Sequence, residues 1–500
     1  MPLLAALDQG TTGTRCFLFD LEGRIAASAY REHAQIFPRP GWVEHDPVEI
    51  RENVERVLAE ARAQSREEIV ALGVTNQRET VVAWDSETGL PAGNAIVWQD
   101  TRTDDDCRAL IATGIEEEVR ARTGLPIRTY FSATKIRWIL ANVRAASALA
   151  ASGRLRIGTM DAWVIWNLTG GADGRGGAHV TDPTNASRTL LCALDTLQWD
   201  PWLLDRFGVP ARALPRILPS IAVEPYGVTR PGGPLGAPVP VCADLGDQQS
   251  ALFGQACFFP GDAKNTYGTG SFLLQHVGDK PVASRHGLLG TAAASEGGRR
   301  AYALEGSVAV TGSAVQWLRD GLGVIHEAAE TEAIARSVPD SGGVYFVPAF
   351  SGLFAPHWDM TARGAIVGLT RFATRSHLVR ATLEAIAFQS REVLDAMAAD
   401  CGVAPAALKV DGGATVNDFL MQLQADILGV PVVRPAVRET TALGAALAAG
   451  MAAGVFRSTD EIARLWREDR VFEPEWTEDR RESAYAGWKR AVEKSRGWIS

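Results

Sequence analysis

Two short apolar segments, each running into a tight glycine–threonine turn, constrain this chain more than any other feature. Leu3 to Leu7 ends at Asp8-Gln9-Gly10-Thr11-Thr12-Gly13-Thr14, and Cys16-Phe17-Leu18-Phe19 begins the return. Roughly 260 residues later, Asp262 to Tyr267 leads into Gly268-Thr269-Gly270, and Ser271-Phe272-Leu273-Leu274 returns. Glycine lets the backbone turn sharply and approach a polyanion with no side chain in the way. Successive amides and threonine hydroxyls can then donate to phosphate oxygens. Either turn alone reads equally well as a plain β-turn. Together, one in each half of the chain, they can grip phosphates from opposite sides of a cleft.

The segments around the turns read as an α/β protein. Asp20-Leu21-Glu22-Gly23 turns into a third strand from Arg24 to Tyr30. Val54, Val57, Leu58 and Ala61 fall at i, i+3, i+4 and i+7, which predicts an amphipathic helix within Pro47 to Ala63. Ile69 to Val74 is a further buried strand, ending in Thr75-Asn76-Gln77-Arg78-Glu79. Strand, helix, strand is the α/β order, and the polar end of a buried strand is where such sheets meet ligands. In the second half a long helix from Ser376 to Asp400 carries Leu383, Ile386, Ala387, Ser390, Val393, Leu394 and Met397 along one stripe. The strand Leu408 to Asp411 then meets Gly412-Gly413-Ala414 before a helix carrying Asn417 to Leu428. A chain of 500 residues favours more than one domain, and the division is placed at residue 250, giving units 1–250 and 251–500.

Composition removes several classes of function. A formal net charge of -9 argues against a broad nucleic-acid footprint. No apolar run reaches bilayer-crossing length, and the N-terminal apolar stretch has no positive region before it. That predicts a buried first strand in a cytoplasmic protein with no stable membrane insertion. The six cysteines, at 16, 107, 192, 242, 257 and 401, lack metal-site spacing and read as buried thiols in a reducing compartment.

The chain contains neither a Walker-type phosphate loop nor the His-Arg-Asp signature of protein kinases. Asp8 nevertheless places a carboxylate at a strand end, suited to orient hydrated Mg2+ beside phosphates. Phosphoryl transfer also needs an acceptor hydroxyl and a carboxylate to take or orient its proton. Asp247, in Asp244-Leu245-Gly246-Asp247-Gln248-Gln249, fits that role, and it fits helix capping equally well. Arg78-Glu79 sets a donor fork beside an acceptor, which suits a small polyol whose hydroxyls both donate and accept. A buried structural ion pair would explain the same two residues. Trp98 and Tyr130 could wall such a pocket.

Taken together, these motifs resemble the FGGY carbohydrate kinase family. The resemblance rests on ALDQGTT at 6–12, PGWVEHDP at 40–47, GVTNQRET at 73–80, NAIVWQD at 94–100, DPTNASRT at 182–189 and GDQQSALFGQ at 246–255. It continues through KNTYGTGSF at 264–272, ALEGSV at 303–308, ARGAIVGLTR at 362–371 and VDGGATVNDFLMQLQADILG at 410–429. It implies two ribonuclease-H-like domains of the actin-like ATPase type flanking a deep catalytic cleft, with polyol mainly on the first and ATP mainly on the second. Within the family the motifs are most similar to the members that act on glycerol. The implied reaction is phosphorylation of glycerol by ATP with Mg2+, giving sn-glycerol 3-phosphate, with Asp247 as general base. Arg78, Glu79, Trp98, Tyr130, Asp247, Gln248 and Phe272 match the acceptor-site positions. Thr12, Gly13, Thr14, Arg15, Thr269, Gly312, Gln316, Gly413 and Asn417 match the nucleotide side, and Asp8 with Asp247 the metal. A homodimer or homotetramer is usual among relatives.

Two departures stand out. Gly13-Thr14 replaces a frequent pair of serines, and Ala243-Asp244-Leu245 precedes the Gly-Asp-Gln-Gln run, bringing an extra carboxyl near Asp247 if the two are close in space. Two other functions compete with this reading. One is a family member acting on a pentulose, erythritol or another polyol, and the other is a non-catalytic actin-like nucleotide switch.

Overall fold

The structure is a computed structural model that describes residues 2–171, 176–295 and 299–499. Two mixed sheets dominate it, and they share one topology. In the first, Leu3–Gln9, Gly13–Phe19 and Ile25–Glu32 form an antiparallel meander. Ile69–Asn76 and then Pro240–Gly246 add in parallel on the other side of Leu3–Gln9. In the second, Ala263–Tyr267, Ser271–Gly278 and Tyr302–Val308 form the meander. Leu408–Asp411 and Val432–Pro435 add in parallel beyond Ala263–Tyr267. The glycine–threonine turn joins the first two strands of each sheet, so the repeat seen in the sequence is a repeat of topology.

Alternation along a strand explains how the first sheet is covered on both faces. Leu3, Ala5 and Leu7 point into a core with Ile50, Val54, Val57 and Leu58 of the helix Pro47–Gln64. That helix begins at Asp46, whose carboxylate accepts from the Val48 amide, with Pro47 in its first turn. Leu4 and Ala6 point the other way, into a core with Ala442, Ala445, Ala446 and Ala449. These alanines belong to the helix Thr440–Ala452, so a segment from the second half of the sequence completes the first unit. In the second sheet Leu273, Leu304 and Leu408 pack against Leu383, Ile386, Val393, Leu394 and Met397 of the helix Arg375–Cys401. Ala387, expected on that stripe, turns instead to a separate core with Trp488.

The boundary placed at residue 250 falls inside the helix Asp247–Gly254, and the second sheet begins at Ala263. The helix that holds residue 250 is packed into the fold: Ser250 Oγ donates to the Thr441 carbonyl at 2.7 Å, holding it against Thr440–Ala452. The reason is packing, since both helices bury almost every residue. Among the described residues no helix is long and apolar enough to cross a membrane. All six cysteines are free, and only Cys401 is partly exposed.

Candidate active site

The ends of four strands and one helix start converge between the sheets. Asp247 is the first residue of the helix Asp247–Gly254, immediately after the strand Pro240–Gly246. Its Oδ1 accepts from the Gln248 amide at 2.7 Å, so it does contribute at the helix start. The same oxygen lies 3.1 Å from Arg78 Nε, and the side chain stays 30% exposed, open to a ligand.

Arg78 and Glu79 do not pair with each other. Arg78 Nη1 reaches Glu305 Oε2 and Gln249 Oε1, and Nη2 lies 3.1 Å from Glu305 Oε1. Glu79 accepts from Arg188 Nε at 2.6 Å, and Arg188 Nη2 returns to Glu305 Oε1 at 3.1 Å. Glu79 sits at φ 62, the left-handed region that a non-glycine residue adopts only when its surroundings impose it. Ser132 Oγ, donating to the Glu79 carbonyl at 3.0 Å, and Arg188 supply that restraint. Burial alone would raise the Glu305 carboxyl, but the Arg188 and Arg78 guanidiniums outweigh it and hold the group at about 2. Burial likewise pushes the Tyr130 phenol up, and the Glu79 charge adds to it.

The three expected aromatic residues meet. The Trp98 and Tyr130 rings are 5.5 Å apart, edge to face, and Phe272 from the second sheet stands 6.5 Å from Trp98. Trp98 Nε1 donates to Thr11 Oγ1 at 2.9 Å, tying this wall to the first turn. Gln248 is buried, with its carbonyl oxygen 2.5 Å from Lys264 Nζ. Lys264 also donates to Thr266 Oγ1 and to the Phe272 carbonyl, and burial lowers its amine to about 8 despite Asp411, Asp247 and Glu305 nearby.

On the other side of the second turn lies a cavity of about 320 Å³ lined by Thr269, Gly312, Gln316, Gly413 and Asn417. All five were expected there, and the volume suits a small ligand. The amides of Gly312 and Ser313 donate to the Gly268 and Thr269 carbonyls at 3.1 Å, fixing the turn on the helix that follows. Asn417 Oδ1 caps its helix by accepting from the Leu420 amide, and its Nδ2 donates to Thr331 Oγ1.

The residues of the first turn divide by exposure. Thr12 and Arg15 are exposed, but Gly13 and Thr14 already belong to the strand Gly13–Phe19 and are buried. A Cβ at Gly13 would come within 2.5 Å of the Tyr30 ring, and the Thr14 hydroxyl is buried without a partner. Thr14, read from the sequence as a phosphate donor, thus sits buried on the strand, unlike exposed Thr12 beside it. Arg15 Nη1 lies 3.2 Å from Glu439 Oε2, which adds an acidic neighbour the sequence reading did not name.

Asp8, half-buried at the end of Leu3–Gln9, has its carboxyl raised to about 7. Burial is the main cause; Arg15 opposes it, while the Asp247 and Glu439 charges add to it. Among the described residues no set of three His, Cys, Asp or Glu side chains gathers as an ion cage. Mg2+ keeps most of its water and takes only one or two carboxylates when it arrives with phosphates. Asp8 and Asp247, near enough for the Asp247 charge to help raise the Asp8 carboxyl, fit that need.

Asp244 is not directed at Asp247. It is buried against Asp161 and Asp182, and those two charges, after burial, are what raise its carboxyl. Glu305, Arg188 and Lys264 were missed by the sequence reading as functional residues. Their signal was a lone charge in an otherwise buried run, as in Ala303-Leu304-Glu305-Gly306-Ser307-Val308, which folds only if paired.

Two sheets of repeated topology, each presenting a glycine turn to one cleft, define a two-domain kinase fold of the actin-like ATPase type. The model of the FGGY family of carbohydrate kinases, N-terminal domain, matches residues 3–254, and that of the C-terminal domain matches residues 263–453. The chain belongs to this family. It is 57% identical to the glycerol kinase of Saccharopolyspora erythraea over 99% of both chains. It is 56% identical to that of Mycobacterium tuberculosis, over 99% of this chain and 96% of the relative. The crystal structure of Plasmodium falciparum glycerol kinase with ADP superposes with a TM-score of 0.92 at 38% identity, covering 99% of this chain and 98% of that one.

Proposed function

We propose that the protein transfers the γ-phosphoryl group of ATP to a terminal hydroxyl of glycerol, giving sn-glycerol 3-phosphate. One observation supports this most directly: the likeness to glycerol kinases runs through both halves of the chain, covering 99% of it. The site is consistent with a short acceptor, because Trp98, Tyr130 and Phe272 stand together as one aromatic wall. In this reading Asp247 takes the proton of the attacking hydroxyl, while Arg78 and Glu79 orient the acceptor. The carbon backbone lies against the three rings. Thr269 and Thr12 meet the phosphates, and Gly413, Gln316 and Asn417 flank the base and ribose. Asp8 and Asp247 would hold hydrated Mg2+, which screens phosphate charge when bound. Seating of the two sheets on each other excludes competing water.

The reading includes a homodimer or homotetramer acting in the cytoplasm. Sedimentation and cell fractionation test those two parts. The reaction is tested by ADP release from MgATP with glycerol, dihydroxyacetone, erythritol, xylulose or water alone. Preference for glycerol is expected. Preference for another polyol would overturn the acceptor assignment, and turnover indifferent to any acceptor would favour a nucleotide switch.

A further inference from the structure

Glu305 lies in the middle of the strand Tyr302–Val308 of the second sheet, yet its partners come from the first half of the chain. Oε1 is 3.1 Å from Nη2 of both Arg78 and Arg188, and Oε2 contacts Arg78 Nη1. All three side chains are almost fully buried. The two arginines lead outward to the residues assigned to the acceptor: Arg78 Nε to Asp247, and Arg188 Nε to Glu79. A guanidinium is a rigid planar fork, so fixing its terminal nitrogens fixes the direction of Nε. One carboxylate on the second sheet therefore aims two side chains of the first.

Stability alone does not call for this arrangement. Well-packed apolar residues usually stabilise a core as well as a buried ion cluster does. Here the charged cluster carries one guanidinium to Asp247, which stays partly exposed, and the other to buried Glu79. Lys264, on the same sheet, makes a parallel link by donating to the Gln248 side-chain oxygen Oε1 and to the Phe272 backbone carbonyl.

We infer that Glu305 is a positioning residue that ties the aim of Arg78 and Arg188 to the seating of the second sheet, so that the acceptor site is complete only when both halves are docked. This rests on the glycerol-kinase reading above. It makes acceptor and nucleotide affinities interdependent, because nucleotide contacts the sheet that carries Glu305.

The test compares the unaltered protein with Glu305→Asp, which keeps the charge and withdraws it by one carbon. A second variant, Glu305→Gln with Arg188→Gln, removes one charge of each sign and leaves no surplus. In the unaltered protein a non-hydrolysable ATP analogue should tighten glycerol binding by about tenfold. In Glu305→Asp, kcat with glycerol should fall about 100-fold, the cost of misaiming a group by about 1 Å. The analogue's affinity without glycerol should stay within about twofold, and its effect on glycerol binding should vanish. The double variant should show the same loss of coupling. A folded variant with unaltered kcat and coupling overturns the inference, and so does loss of folding in both variants, which would make Glu305 a purely structural residue. Absence of glycerol-dependent turnover in the unaltered protein would instead sink the functional reading itself.

Discussion

Arg78 Nε faces Asp247 Oδ1 at 3.1 Å while the rest of the same guanidinium is held by Glu305 and Gln249. Asp247 thus meets its arginine through one oxygen, which also accepts from the Gln248 amide. The proposed reaction needs this carboxylate to take the proton of the acceptor hydroxyl. Asp247→Asn keeps the shape and cannot take a proton. Glycerol-dependent turnover should fall about 1000-fold, within the range for a lost general base. Calorimetry should still detect glycerol binding. Near-normal turnover would remove Asp247 from the base role.

The raised carboxyl of Asp8 makes a pH prediction. At about 7, half of the group is protonated near neutrality, and a protonated carboxyl does not hold a cation. Apparent Mg2+ affinity in turnover should rise about tenfold per pH unit below 7 and flatten above it. The sign for stability is the reverse. A carboxyl raised in the folded state contributes stability below its ordinary value of 3.8, and that contribution is lost as pH rises through about 7. Mg2+ titrations at pH 6, 7 and 8 with Asp8→Asn beside the unaltered protein check this. The substitution should abolish the pH dependence of Mg2+ affinity, and an unchanged dependence would place the titrating group elsewhere.

How far the sequence carried is visible at particular residues. The strands of the first meander, the first hairpin of the second and both turns could be read because glycine marks a sharp reversal and the apolar runs end at polar clusters. The helix Arg375–Cys401 could be read from its stripe, within one residue at each end of the expectation. The destination of Thr440–Ala452 could not. Its alanine-rich, all-round apolar surface says that it is buried but not which sheet it covers, and it covers the one far from it in sequence. At the site, Trp98, Tyr130 and Phe272 converge as expected, whereas the partners of Arg78 and Glu79 were illegible. A buried charge announces that it is paired, but Glu305 and Arg188 lie more than 100 residues along the chain from the residues they hold.

Glu305 also shapes acid stability. Its folded value of about 2 lies below the ordinary 4.5, so its contribution is present above 4.5 and lost as pH falls toward 2. At pH 7, Glu305→Gln should destabilise by about 3–5 kcal/mol, because it leaves two buried guanidiniums undercompensated. Thermal melts of both proteins from pH 7 to 2.5 should show that gap narrowing below 4.5. A gap that stays constant with pH would mean that Glu305 is not held ionised by its arginines.

Adjacent glycines at the nucleotide side separate a folding role from a binding role. Gly412 adopts φ +91, and a Cβ there would meet the Tyr267 carbonyl oxygen at 2.3 Å. Gly413 has nothing within 4 Å of its Cβ position and lines the cavity. Gly412→Ala should cost about 1–3 kcal/mol through backbone strain, besides the clash that forces Tyr267 aside. Gly413→Ala should leave stability within about 0.5 kcal/mol, as a change in open space does. Its added methyl occupies the surface assigned to the nucleotide, so KM for ATP should rise while KM for glycerol holds. Melting curves and paired Michaelis measurements on the two variants decide the matter. Unchanged ATP affinity in Gly413→Ala would move the nucleotide away from this wall of the cavity, and a stable Gly412→Ala would mean that the strand end at Tyr267 yields more readily than its packing indicates.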